Sequence, residues 1–324
     1  MLKYSIHKSE ACKATLSLKF CLLSYIFIKI KKMITTHTTN QSRKAIGIYL
    51  LIICLLSAVV YLLTLNAGTT NRIGGRIYGY GIMWCPALAT YLTCKILKIK
   101  FSGLAWQWGK PKYQIWCYFI PLLYALVSYL IIWFTGWGGF YNKAFISQAA
   151  NELAWSKLPA GVFIVLFFVL EGVIGMFGSM STALGEEIGW RGFLVPELSN
   201  ITSYTKTSLI SGAIWAVWHY PILIFGNYNN GTPPWYGLIC FTVMVISMSF
   251  VFTWFRLKSN SLWTGVMLHA SHNLFIQGFF TPITTNTGKT PYFIDEFGCV
   301  LAVVTAILAI YFWTRRKELT QTVN

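Results

Sequence analysis

Apolar residues fall along this chain in blocks of about twenty, separated by short polar, lysine-rich stretches. Eight blocks qualify: 45–65, 77–97, 113–135, 160–184, 207–225, 235–255, 260–280 and 296–313. About 20 mostly apolar residues are what an α-helix needs to cross the hydrocarbon core of a bilayer. A helix also satisfies its backbone polar groups internally, which lipid requires. The pattern therefore predicts an all-α, polytopic membrane protein with about eight transmembrane helices. No linker or shift in composition divides the blocks, so residues 33–324 are read as one domain.

Composition agrees. Of the 324 residues 56% are hydrophobic and only 11% are charged, against about 25% in a soluble domain. The formal net charge is +17. In a soluble protein that excess would suggest nucleic acid, but here the cations sit between apolar blocks. They are read as topology determinants facing anionic lipid, so the expected surroundings are a bilayer and no nucleic-acid partner is implied. Arg43 and Lys44 precede the first block, and Lys95, Lys98, Lys100, Lys110 and Lys112 crowd the loop after the second. Arg191 and Lys206 follow the fourth, Arg256 and Lys258 the sixth, and Arg315, Arg316 and Lys317 the eighth. The intervening loops are poorer, even with Arg72 and Arg76 in the first of them. This alternation predicts both termini in the cytoplasm. The eight cysteines show no CxxC spacing and are read as free. Residues 1–32 are lysine-rich, with an apolar run broken by Lys19 and Lys29. They could form a signal peptide, a ninth span or an amphipathic segment, an N-terminal extension to the membrane domain in any case, and translation from Met33 is an equal alternative.

Ionisable groups inside a span cost roughly 2.5–3.5 kcal/mol each at the bilayer centre, so those that persist mark function. Only nine acidic residues and five histidines are present. Three clusters stand out. The first is Gly185-Glu186-Glu187-Ile188-Gly189-Trp190-Arg191-Gly192-Phe193. If its helix continues, Glu187 and Arg191 share a face and can pair. Glu186 then points about 100° away, free to act as a base. The second is Trp215-Ala216-Val217-Trp218-His219-Tyr220-Pro221, in which Trp215 can brace His219. The third is His269-Ala270-Ser271-His272-Asn273, in which His269 and Asn273 share a face. His219 and His269 sit roughly 13–18 Å inside the cytoplasmic end at 1.5 Å per residue, and Glu186 reaches that level if its helix runs on to Pro196. A lone membrane histidine is more often an interhelical hydrogen bonder than a catalyst. Three such clusters in a chain so poor in acid are harder to explain that way. Glu171, fifteen residues before Glu186, lies roughly 22 Å away along the helix and is read as an interior group outside the site. His272 is one residue off the motif face and is treated as a neighbour.

These segments resemble the CPBP family, the CAAX proteases and bacteriocin-processing enzymes, which includes type II CAAX prenyl proteases. The family motifs are Glu-Glu-x-x-x-Arg, an aromatic-x-x-x-His, and His-x-x-x-Asn or Asp. Here they read Glu186-Glu187…Arg191, Trp215…His219 and His269…Asn273, with Trp215 in place of the more usual Phe. The likeness is strong over 185–280 and hydropathic elsewhere, and the flanking residues are similar to those of bacterial members. The resemblance implies an eight-helix intramembrane endopeptidase. In it Glu186 and His219 activate water, and His269 and Asn273 bind the oxyanion, supported by Glu187, Arg191 and Trp215. The expected substrate is a peptide or membrane protein: a prenylated CAAX protein in the eukaryotic role, or a bacteriocin-type precursor or membrane protein in a bacterial one.

Two questions stay open on sequence. Glu186, His219 and His269 match the two-His, one-Glu count of a catalytic Zn2+ site. No His-Glu-x-x-His helix is present, however, and a metal-free glutamate mechanism without cofactor is preferred. The competing functions are a non-catalytic membrane scaffold or regulator that retains the fold, and a transporter relaying protons through Glu171 and Glu186. The intact set of polar groups argues against the scaffold.

Overall fold

The computed structural model describes residues 39–66, 77–226 and 231–319. Residues 1–32, His7, His37 and the Arg72/Arg76 loop lie outside the described residues. In chain order come α1 (Thr39–Asn66) and α2 (77–97), which opens as a wide turn over Ile77–Ile82 and continues as Met83–Leu97. Then follow α3 (Pro111–Phe134), α4 (Lys143–Glu152), α5 (Ala160–Ser199), α6 (Tyr204–Phe225) and α7 (Pro234–Ser259). Last are α8 (263–283), regular over Trp263–Asn273, and α9 (Cys299–Thr314), which ends in a 3₁₀ turn over Arg315–Glu318.

Each apolar block is helical. Six helices, α1, α3, α5, α6, α7 and α9 with its closing turn, are long and apolar enough to cross a membrane. The predicted spans 77–97 and 260–280 coincide with α2 and α8 but fall outside those six. Their polar content is the reason: α8 carries His269, His272, Asn273 and Gln277, and α2 carries Thr90, Thr93 and Lys95. The count of about eight rests on these two. Two boundaries differ from expectation. The fourth span does not stop at 184 but runs on to Ser199. A short helix, α4, forms in what reads as a loop: the Asn142 side chain caps it by accepting from Phe145 N, and Ile146, Ala149 and Ala150 bury one face.

Local chemistry ends the helices where the loops begin. Lys98 and Asn260 take left-handed conformations at the ends of α2 and α7. Proline stands in the first turn of α3 and α7, where its missing N–H costs nothing. The outside of the bundle is apolar, with Leu51 at 62%, Phe177 at 71% and Ile307 at 64% exposure. The strongest charges of the motif region, Glu186, Glu187 and Arg191, are at most 2% exposed. This inverted distribution suits a multi-pass membrane protein, whose solvent is lipid.

The loops sort into two ends. At one end Leu262 N donates to Ala105 O and Trp263 Nε1 to Trp106 O, joining the α2–α3 and α7–α8 connections. Trp254 Nε1 and Lys258 Nζ donate to Arg315 O and Glu318 O, which brings the end of α9 to the same side. At the other end Gly139–Phe140 pairs antiparallel with Thr284–Thr285, and Tyr236 OH donates to Tyr292 O. This grouping matches the alternation of basic and less basic loops. If both termini are cytoplasmic, as the basic loops predict, a cysteine placed at exposed Ser102 in a cysteine-free background should resist an impermeant thiol reagent added to intact cells. One at exposed Asn286 should react. The reverse pattern would invert the orientation.

Candidate active site

The first motif lies inside α5. The regular stretch Met176–Glu187 ends on the two glutamates, and a wide π-type turn covers Ile188–Leu194. Such turns cluster at functional sites because the extra residue re-aims the faces on either side. α8 repeats the arrangement, with a wide turn starting at Leu274, directly after Asn273. In α6, Pro221 follows two residues after His219 and removes one ladder hydrogen bond. On α5, Gly185 allows close packing against α2: a Cβ there would lie 2.5 Å from Met83 O.

Glu187 is fully buried and its Oε1 serves two partners, Arg191 Nη1 at 2.8 Å and His269 Nδ1 at 2.9 Å. The pair with Arg191 is the i,i+4 contact the spacing predicts. The bond to His269 is not legible in the motif. A signal for it exists on α8, where Gly265 stands one turn before His269 on the same face. A Cβ at 265 would fall 2.5 Å from Glu187 Oε2, so only glycine lets the carboxylate lie against that helix. Arg191 is sandwiched between aromatic faces, with its guanidinium carbon 4.2 Å from the Trp215 ring centre and 3.8 Å from that of Phe252. Cation–π attraction of this kind is strongest when desolvated. Arg256 Nε donates to Arg191 O at 2.7 Å and ties α7 to the same turn.

Glu186 has a different environment. Its Oε2 accepts from two neutral indoles, Trp190 Nε1 at 3.0 Å and Trp215 Nε1 at 2.8 Å. No cation pairs with it among the described residues. Trp215 thus holds Glu186 through its indole N–H, and its ring also meets the His219 imidazole edge-on at 6.2 Å between centroids. Its carbonyl adds a hydrogen bond: His219 Nδ1 lies 2.9 Å from Trp215 O. A carbonyl only accepts, so Nδ1 carries the proton and a neutral His219 presents a bare Nε2. The ring is boxed by Trp218 at 4.7 Å and Phe241 at 5.1 Å between centroids. His269 packs edge-on against Trp215 at 5.4 Å. Its Nδ1 faces a carboxylate, so it donates to an oxyanion through Nε2 only when both nitrogens carry protons. Glu187 is the counter-charge that state needs.

His269 and Asn273 line a cavity of about 30 Å³ together with Trp215, His272 and Glu296. That volume exceeds the ~10–15 Å³ a water needs and is far too small for a peptide. Glu186 and His219 do not line it. Glu186 adjoins it through Trp215, and His219 through Trp215 and Phe241. His272, set aside on sequence, is a working part of its wall: Nε2 lies 2.8 Å from Glu296 Oε1, and Nδ1 bonds the Tyr124 hydroxyl. Glu296 comes from the connection before α9. Its one sequence signal is rarity, as one of nine acids set at the edge of an apolar block. Glu171 is placed elsewhere, its carboxylate beside Gly175 of its own helix and Leu274 and Gly278 of α8.

As arranged, the donor set does not fit a metal ion. Among the described residues no three His, Cys, Asp or Glu side chains converge on one point. In the Glu186, His219 and His269 trio, Glu186 Oε2 is occupied by two indole N–H donors and Trp215 contacts all three residues.

Two substitutions probe the buried cluster. Glu187→Gln strands Arg191 and His269 without a counter-charge, which for a buried pair costs about 3–5 kcal/mol. Gly265→Ala forces its new Cβ onto the carboxylate, at about 1–3 kcal/mol. Both should lower the melting temperature in detergent. An unchanged melting temperature for Glu187→Gln would mean that the cluster does not hold the helices together.

Residues 161–275, the stretch that carries all three motifs, match the model of the type II CAAX prenyl endopeptidase Rce1-like family. The chain is also similar to the protein named CAAX prenyl protease 2 of Methanococcus maripaludis, with 31% identity over 114 residues. That match covers 33% of this chain and 41% of the relative, so it spans less than half the relative's length. The family-model match falls on the helices that assemble the buried glutamates and histidines, and over that stretch the chain is similar to type II CAAX prenyl endopeptidases.

Proposed function

We propose that this protein is an intramembrane endopeptidase that hydrolyses a peptide bond in a substrate lying at or within the membrane surface. The observation that carries this reading is the unequal treatment of two adjacent buried glutamates. Glu187 is committed to Arg191 and His269. Glu186 is held only by neutral N–H donors, which leaves it able to accept a proton. The two histidines divide in the same way. His219, donating to a carbonyl, offers a lone pair; His269, donating to a carboxylate, can offer a proton when charged.

Peptide hydrolysis needs these complementary parts. Water loses a proton to Glu186, assisted by His219, and its oxygen attacks the carbonyl carbon. The carbonyl oxygen becomes an oxyanion that accepts from His269 Nε2–H and from the Asn273 amide. When the C–N bond breaks, the proton held by Glu186 passes to the leaving amine. The small cavity at His269 and Asn273 is water-sized, so a substrate must displace wall side chains to enter. The relative's name points to a prenylated C-terminal CAAX segment. A bacteriocin-type precursor or another membrane-anchored peptide has the same chemistry. The alternative is a non-catalytic scaffold, which would not need an unpaired base beside an ion-paired one.

Cleavage of one defined substrate in liposomes, with melting curves beside it, tests the roles. Glu186→Gln should fall to near background while folding normally. His219→Ala should be as severe, and the double variant barely worse, because groups that act as a unit are not additive. Asn273→Ala should lose about 10²–10³ in rate with little change in substrate binding. Normal cleavage by folded Glu186→Gln would defeat the proposal and favour the scaffold. A separate check concerns metal: activity should survive exhaustive chelation. Loss on chelation with recovery on adding zinc would instead make Glu186, His219 and His269 ligands.

A further inference from the structure

A groove of about 330 Å³ lies between α3, α7 and α9, at the end of the bundle where Trp254 and Lys258 bond the end of α9. No motif residue lines it. Its floor is apolar, with Ile120 of α3 and Leu308 and Phe312 of α9. Its rim carries three cations, Lys112, Lys258 and Arg315, against one acid, Glu318. That acid is already taken: Arg315 Nε and Nη2 grip the Glu318 carboxylate at 2.6 and 3.0 Å. Arg315 also sits 4.8 Å over the Trp254 ring. Neither lysine is in an ion pair among the described residues; Lys258 Nζ donates to a backbone carbonyl, and Lys112 lies over the Tyr113 ring. Three cations and one carboxylate leave the groove with an excess of two positive charges.

The mouth of the groove opens between helix faces that meet lipid. Trp116 and Tyr311, both on its wall, are 54% and 52% exposed, and Ile115 and Ile307 beside them are 55% and 64% exposed. What enters from such a face comes from the bilayer. Along α3 the distance from Lys112 to Ile120 is eight residues, about 12 Å. The shape is an apolar slot roughly that deep with a cationic collar at the polar end. It matches a phosphodiester headgroup at the rim with the upper part of an acyl chain below, and the +2 excess selects an anionic lipid over a zwitterionic one. We infer that this groove is a binding site for one anionic phospholipid, separate from the candidate active site.

The test is native mass spectrometry of the purified full chain, titrated with phosphatidylglycerol or phosphatidylcholine. One phosphatidylglycerol should bind well ahead of phosphatidylcholine. Lys112→Gln, which touches only an exposed side chain, should weaken it about fivefold, and Lys112→Gln with Lys258→Gln about 25-fold. Phosphatidylcholine binding should not change. Two results would overturn the inference. One is an equal loss in the control Lys95→Gln/Lys98→Gln, which removes the same charge from the end of α2 on that side and would indicate surface charge alone. The other is displacement of the lipid by millimolar inorganic phosphate, which would indicate a simple anion site.

Discussion

A charged cluster buried in an apolar helix bundle is the constraint around which the rest of this protein is arranged. Desolvating a carboxylate and a guanidinium costs several kcal/mol each, and the pair repays it only with close geometry and further hydrogen bonds. Glu187 meets part of this by accepting from Arg191 and His269 at once through Oε1, while its Oε2 and Arg191 Nε have no hydrogen-bond partner among the described residues. Arg191 is offset further by two aromatic faces rather than by water. The participants come from four helices: Glu187 and Arg191 from α5, Trp215 from α6, Phe252 and Arg256 from α7, and His269 from α8. Compensating one ion pair therefore fixes how those helices pack.

That packing leaves a functional asymmetry. Neighbouring residues on one helix point about 100° apart, so Glu186 faces Trp190 and Trp215 while Glu187 faces the cations. Trp215 is the hinge between them. Its indole N–H holds Glu186, its ring stacks on Arg191 and abuts His269, and its carbonyl sets the tautomer of His219. An aromatic side chain without an N–H could fill the same space and support Arg191, but it would not donate to Glu186. Trp190 would then be the sole indole on that carboxylate.

A second polar network closes the cavity from the opposite side. His272 joins Tyr124 of α3 to Glu296 before α9. Asp295 N in turn donates to Tyr129 OH, and Asp295 Oδ1 accepts from Glu296 N. The end of the bundle formed by the 284–298 connection is thereby tied to the wall of the candidate site. His269 of the one network and His272 of the other line the same cavity, with Asn273.

Much of this is legible along the chain, because a bilayer imposes local rules. Helix length and apolar composition mark the spans, and i,i+4 spacing alone pairs Glu187 with Arg191 and aligns His269 with Asn273. Scarcity of acid singles out Glu186 and Glu187. Other features depend on which helix faces which, and periodicity within one helix carries no information about its neighbour. Glu187 reaching His269 needs α5 and α8 in contact at Gly265, and Glu296 reaching His272 spans a connection with no motif. The hydrogen bond each histidine makes through Nδ1 decides which of its nitrogens can act. For His219 that partner is the Trp215 carbonyl, four residues back, beside the indole contact that the spacing predicts. For His269 it is a carboxylate on another helix, fixed only when the bundle closes around its buried charge.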